Sequence, residues 1–115
     1  MTITFQPQNV QVTTPVTVLL KDESAAHTVM TLFVPGIPPL SHAFDYTKGD
    51  FSASPDLPAG TYACSLFVQV FDYKALGPMY KMSVFINGQL AATASGNIAN
   101  GGSDSGLCKF TMSVL

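Results

Sequence analysis

The residues from Gly60 to Tyr73, Gly-Thr-Tyr-Ala-Cys-Ser-Leu-Phe-Val-Gln-Val-Phe-Asp-Tyr, run without an internal glycine or proline. They are rich in aromatic and β-branched types, which fit a pleated, half-buried surface. Side chains alternate across a strand, so Tyr62, Cys64, Leu66, Val68 and Val70 share one face. Thr61, Ala63, Ser65, Phe67, Gln69 and Phe71 share the other. The first set reads as core. The second begins small and ends aromatic, so its far end asks for cover as well. A strand wanted on both faces belongs in the middle of a sheet, and the rest of the chain has to be arranged around it.

No other stretch breaks the β pattern. No segment of ten or more residues carries a 3.6-residue apolar period, and short alternating runs punctuated by Gly, Pro, Asn and Asp recur instead. Thr2 to Phe5 reads as a first strand that Pro7 ends or confines to an edge. Asn9 to Thr13 and Val16 to Leu20 alternate, with a bend at Pro15. Lys21 to Ala25 reads as a solvated turn. Thr28 to Val34 has little polar face and is a second candidate for burial on both sides. Pro35 to Leu40, with three prolines, is a semi-rigid crossing loop. Ser41 to Thr47 and Phe51 to Ser54 are further strands, the latter edge-like, and Pro55 to Gly60 is a rigid turn. Asn87-Gly88 supplies the two residues that a type I′ hairpin wants at positive φ. That turn would pair Val84 with Ala91 and Phe85 with Leu90. Gly96 to Gly106 reads as a long loop, and Cys108, Phe110, Met112 and Val114 face inward on the last strand. Strands at this spacing predict an all-β fold, an antiparallel two-sheet β-sandwich of jelly-roll or Ig-like type with about eight strands. The 115 residues make a single domain, 1–115.

Charge narrows the function. Apolar residues are 47% of the chain and charged residues 10%, against about 25% charged in an average soluble chain. The five cations, Lys21, Lys48, Lys74, Lys81 and Lys109, are scattered singly. A nucleic-acid surface needs clustered cations, so no nucleic acid is expected as partner. No apolar run reaches about 18 residues, so no membrane span is expected. The start of the sequence as given lacks the basic and apolar regions of a signal peptide, so the expectation stays open between a cytoplasmic protein, one matured from a longer precursor, and one exported without a classical signal. Uncharged polar groups can cover a monomer. The alternative is that apolar surface is buried against copies of the same chain, since large apolar patches mark interfaces.

Catalytic chemistry finds little support. There is no Gly-x-Ser-x-Gly elbow, and His27 and His42 stand alone, outside any metal-ligand spacing. Asp45 and Asp72 end or interrupt strands beside Tyr46 and Tyr73, but with seven acids in the chain chance proximity accounts for such a pair better than glycoside hydrolysis does. Asn100-Gly101-Gly102-Ser103 lacks the lysine and helix of a phosphate loop. The chain is expected not to be an enzyme and to need no cofactor. Calcium is the one metal with a candidate site, at Asn97, Asn100 and Asp104, although a single carboxylate is fewer than this ion usually takes. Aromatic rings can also stack on sugars, which makes Tyr46 and Tyr73, from the clusters Phe44/Tyr46/Phe51 and Phe71/Tyr73/Tyr80, ligand-binding candidates. Cys64 and Cys108 both fall on inward positions and are either buried thiols or a disulfide.

Met82 to Ser95, Met-Ser-Val-Phe-Ile-Asn-Gly-Gln-Leu-Ala-Ala-Thr-Ala-Ser, followed by Phe110-Thr111-Met112-Ser113-Val114, resembles the hairpin and following strand of small bacterial fucose-binding lectins. The resemblance implies a β-sandwich, a homo-oligomer and a glycan partner. The acidic calcium loop of those lectins has no counterpart here, so no binding residue carries over. The residues thus lead to a non-enzymatic, self-associating structural or assembly subunit, with a small oligomeric carbohydrate-binding module as the alternative.

Overall fold

The computed structural model describes residues 3–74, 79–98 and 102–115. Among the described residues it contains ten strands and no helix. These are β1 (Thr4–Pro7), β2 (Val10–Val12), β3 (Val18–Asp22), β4 (His27–Phe33), β5 (Leu40–Phe44), β6 (Gly49–Ala53), β7 (Gly60–Phe71), β8 (Met79–Ile86), β9 (Gln89–Asn97) and β10 (Ser103–Val114). Two five-stranded sheets form, in the orders β1-β9-β8-β3-β6 and β2-β10-β7-β4-β5. The molecule is a prism of 44 × 21 × 21 Å. Every pairing is antiparallel except β2 with β10, which is parallel. The count exceeds the expected eight because short proline-bounded pieces pair separately. β1 and β2 are separated only by Gln8 and Asn9, yet join opposite sheets.

β7 lies at the centre of its sheet, as its sequence demands. β10 pairs with it from Val114 opposite Gly60 to Ser103 opposite Phe71, and β4 flanks its other side. Cys64, Leu66, Val68 and Val70 are all buried, facing Leu20, Met82, Val84 and Ile86 of the other sheet within one core. β4 is buried on one face only: Thr28, Met30 and Leu32 point inward while Phe33 stays 43% exposed. The second-face cover expected for this strand is absent among the described residues. Tyr62 is also only partly buried, packed against the core rim.

The Asn87-Gly88 turn has the expected geometry, with φ of 50° and 79°. Phe85 pairs with Leu90 as predicted, but Val84 pairs with Ala92. A bulge takes up Ala91, and both alanines end buried. Two loop expectations are corrected. The stretch Lys21–Ala25 is not solvated throughout, because Asp22 ends β3 on the inward face and Asp22 and Ser24 are each 1% exposed. The described residues of the stretch Gly96–Gly106 are mostly strand: β9 continues to Asn97 and β10 begins at Ser103. Hydrogen bonds to β8 and β7 hold these turn-type residues extended, overriding their local preference.

Cys64 and Cys108 are buried free thiols. Cys64 lies opposite Phe110 and Cys108 opposite Leu66, so the two are diagonal neighbours on one face. Diagonal Cα separations of about 7–8 Å exceed what a disulfide spans easily. Burial pushes the Cys64 thiol up to about 11 and raises that of Cys108.

Candidate interaction surface

The outward face of the β10-β7-β4-β5 sheet is built from the alternate residues of its strands. Leu107 stands opposite Phe67, which stands opposite Thr31 and then Ser41. One row along, Lys109 faces Ser65 and Phe33; in the other direction Ser105 faces Gln69, Val29 and Ala43. The next row is Ser103, Phe71 and His27. Leu107 is 50% exposed, and Phe67, Phe71 and Val29 are half-buried. The one charged group in the first three of these rows is Lys109, on β10 in the row of Phe33, and Asp45 lies beside His27 just past the end of β5. A flat, largely uncharged sheet face with protruding Phe33 and Leu107 is the kind of patch that marks an interface.

At the His27 corner the rings converge. Phe71 and Tyr73 stack with centroids 5.5 Å apart, and the His27 ring lies 6.0 Å from both Phe71 and Tyr46. The Tyr73 backbone N–H donates to the Tyr46 hydroxyl oxygen at 3.1 Å. Lys74 Nζ sits 4.6 Å above the Tyr46 ring, a cation–π contact. His27 Nδ1 lies 3.2 Å from Asp45 Oδ1. Tyr46 itself occupies the left-handed region at φ 56°, uncommon for a bulky residue and held here by these contacts. Tyr73 is 70% exposed, so one aromatic face of the corner is open to solvent.

The ligand candidates of the sequence therefore divide. Tyr46 and Tyr73 come together, 27 residues apart in the chain. Asp104 does not join them: it is buried on the inward face of β10 and accepts a hydrogen bond from the Tyr80 hydroxyl at 2.8 Å. Burial and the Asp104 carboxylate together hold the Tyr80 hydroxyl protonated well above the usual phenol range. Asn97 is exposed at the end of β9, and Asn100 lies outside the described residues. Among the described residues, no three His, Cys, Asp or Glu side chains are grouped to hold an ion. The aromatic clusters also regroup. Phe44 and Phe51 turn inward around His42, whose ring stacks on Phe51 at 4.6 Å and meets Phe44 at 4.8 Å. Tyr80 faces the core.

Leu107 and Phe33 escaped the sequence reading. Leu107 adjoins the turn-rich run Gly96–Gly106, and Phe33 lies on a strand with little polar face in its sequence. The signal that could have found Leu107 is the alternation Ser103, Ser105, Leu107, Lys109 against Asp104, Gly106, Cys108, Phe110, which a buried aspartate obscures. No protein-family model and no curated protein matches the chain.

Proposed function

We propose that the chain is a non-enzymatic, self-associating structural or assembly subunit, and that copies meet through the outward face of the β10-β7-β4-β5 sheet. The observation that carries this reading is the apolar row of Leu107 and Phe67 with Phe33 diagonal to it, on a face where Lys109 is the one charge beside them. Burying such side chains contributes about 25 cal/mol per Å². Light scattering across a concentration series tests it. The expected result is a mass above that of the 12.2 kDa chain, reduced by the double variant Phe33→Ser, Phe67→Thr. A monodisperse monomer at every concentration would sink the reading.

A second reading, a carbohydrate-binding module, draws support from the meeting of Tyr46, Tyr73, Phe71 and His27 at one corner. An exposed ring beside a hydrogen-bonding histidine–aspartate pair suits the mixed apolar and hydroxyl faces of a sugar. A glycan screen with and without calcium tests it. Binding that Tyr73→Ala abolishes supports the module, and the absence of any glycan binding rejects it.

A further inference from the structure

The four strands at the sheet edges are not equally protected. β1 is four residues long and ends in Pro7. β5 and β6 are five residues each, and the rings of His42, Phe44 and Phe51 close the gap between them. Short strands, prolines and covered flanks are the usual means of blunting an edge. The remaining edge differs. β2 spans only Val10 to Val12 and covers β10 only from Met112 to Val114. One step further, the Thr111 N–H is taken by Asn9 Oδ1 at 3.0 Å. Beyond that, the twelve-residue β10 has no further strand partner on this side among the described residues; Phe5 and Ile3 pack against Gly106 from the inward side, while Leu107 beside it is 50% exposed.

The direction of its free groups follows from the ladder. Thr111 N–H points away from β7 to Asn9, and Leu115 N–H points the same way to Val12 O at 2.9 Å. Backbone direction alternates along a strand, and the pairing with β7 runs without a register shift. The N–H and C=O groups of Lys109, Leu107 and Ser105 therefore also face the open edge.

From this edge we infer that two copies of the chain pair antiparallel through β10, about a two-fold axis at Leu107, joining the two five-stranded sheets into one. The inference rests on the self-association reading and names its building unit. A second copy suits the edge because antiparallel pairing of a strand with itself is self-complementary. With the axis at Leu107, the two Leu107 side chains meet, each Ser105 faces a Lys109, and each Gly106 faces a Cys108. The single lysine of the edge thus meets a serine rather than its own copy, so no like charges oppose each other. The Ser105, Leu107 and Lys109 N–H groups of each copy find acceptors, and Asn9 marks where the pairing stops. The outward apolar faces of the two copies become continuous, which extends the surface offered to further copies.

Two measurements on the full chain test the pairing. Ser105→Pro removes an outward N–H while leaving the β7 ladder and the apolar face as they are, and proline is tolerated on such an edge. It is expected to weaken dimerisation about tenfold or more in sedimentation equilibrium. The double variant Phe33→Ser, Phe67→Thr is expected to reduce larger assemblies to a dimer, not to a monomer. In the unaltered chain, the amides of Ser105, Leu107 and Lys109 should exchange slowly at high concentration and fast on dilution. Fast exchange of those amides in the associated protein overturns the edge pairing, whatever Ser105→Pro does to folding. If Ser105→Pro leaves the assembly intact and the face variant gives monomers, the edge pairing falls and association through the face stands. Protection that appears only when an unrelated protein is added overturns the second copy as occupant.

Discussion

The Thr28 hydroxyl on β4 donates to Asp22 Oδ2 on β3 at 2.6 Å, a hydrogen bond that crosses from one sheet to the other. The other carboxylate oxygen accepts the Ser24 N–H at 2.9 Å. Not far along the same end of the sandwich, Tyr80 of β8 reaches Asp104 of β10. Two carboxylates thus tie the sheets together where the apolar core gives out. A buried polar group is tolerated only when its partners are present, so both ties fix how the layers align.

Removing the first tie should cost stability. Asp22→Ala strands the Thr28 hydroxyl and the Ser24 amide, and is expected to destabilise the fold by about 1–3 kcal/mol in urea titration. Asp22→Asn, which keeps an acceptor and the side chain's shape, should cost less. Equal losses for the two would mean that the hydrogen bonds contribute nothing.

The same residue sets a pH dependence. Desolvation by burial is the largest influence on Asp22 and raises its pKa above the ordinary 3.8, outweighing the hydrogen bonds from Thr28 and Ser24. An acid whose folded pKa exceeds its unfolded one binds more protons in the native state between the two values. Its contribution to stability therefore falls as pH rises through that window. The stability of the natural chain minus that of Asp22→Asn should decline from pH 3 toward neutrality. A difference that grows with pH would reverse the sign.

Tyr80→Phe leaves the Asp104 carboxylate, 8% exposed, without its hydroxyl donor. A loss of about 1–3 kcal/mol is expected by thermal or chemical unfolding. A variant as stable as the natural chain would show that the second tie is idle.

At the hairpin, Gly88 has φ 79° and a β-branched residue resists that region. Gly88→Val should lower stability by about 1–2 kcal/mol. Asn87 does more than turn the chain. It donates from Nδ2 to Thr13 O at 2.9 Å, and its Oδ1 accepts the Thr17 N–H at 2.8 Å. Asn87→Gly keeps the turn and loses both anchors, so it should also destabilise; an unchanged melting temperature would make those bonds dispensable.

The thiols give a chemical check. With Cys64 1% exposed and its pKa near 11, it stays protonated at pH 8 and should resist a thiol reagent until the chain unfolds. Denaturant should then release both thiols. Rapid labelling of Cys64 in the native protein would contradict its burial.

Periodicity, turn chemistry and charge are local properties, and they determined the all-β class, the inward face of β7, the type I′ hairpin and the inward set on the last strand. Val68 and Met112 had to be core, because no other arrangement of an alternating strand buries them. Pairing is not local. Only the tertiary structure decided that Ser103 and Asp104 are strand, because β7 offers partners that outweigh their turn preference. It buried Asp22 and Asp104, since Thr28 and Tyr80 reach them from strands of the opposite sheet to satisfy them. It also brought Tyr46 to Tyr73 and set Leu107 beside Phe67. An exposed leucine and a buried one look alike in sequence until the neighbouring strand is known, which is why the outward face of this sheet became visible only when β10 was laid against β7.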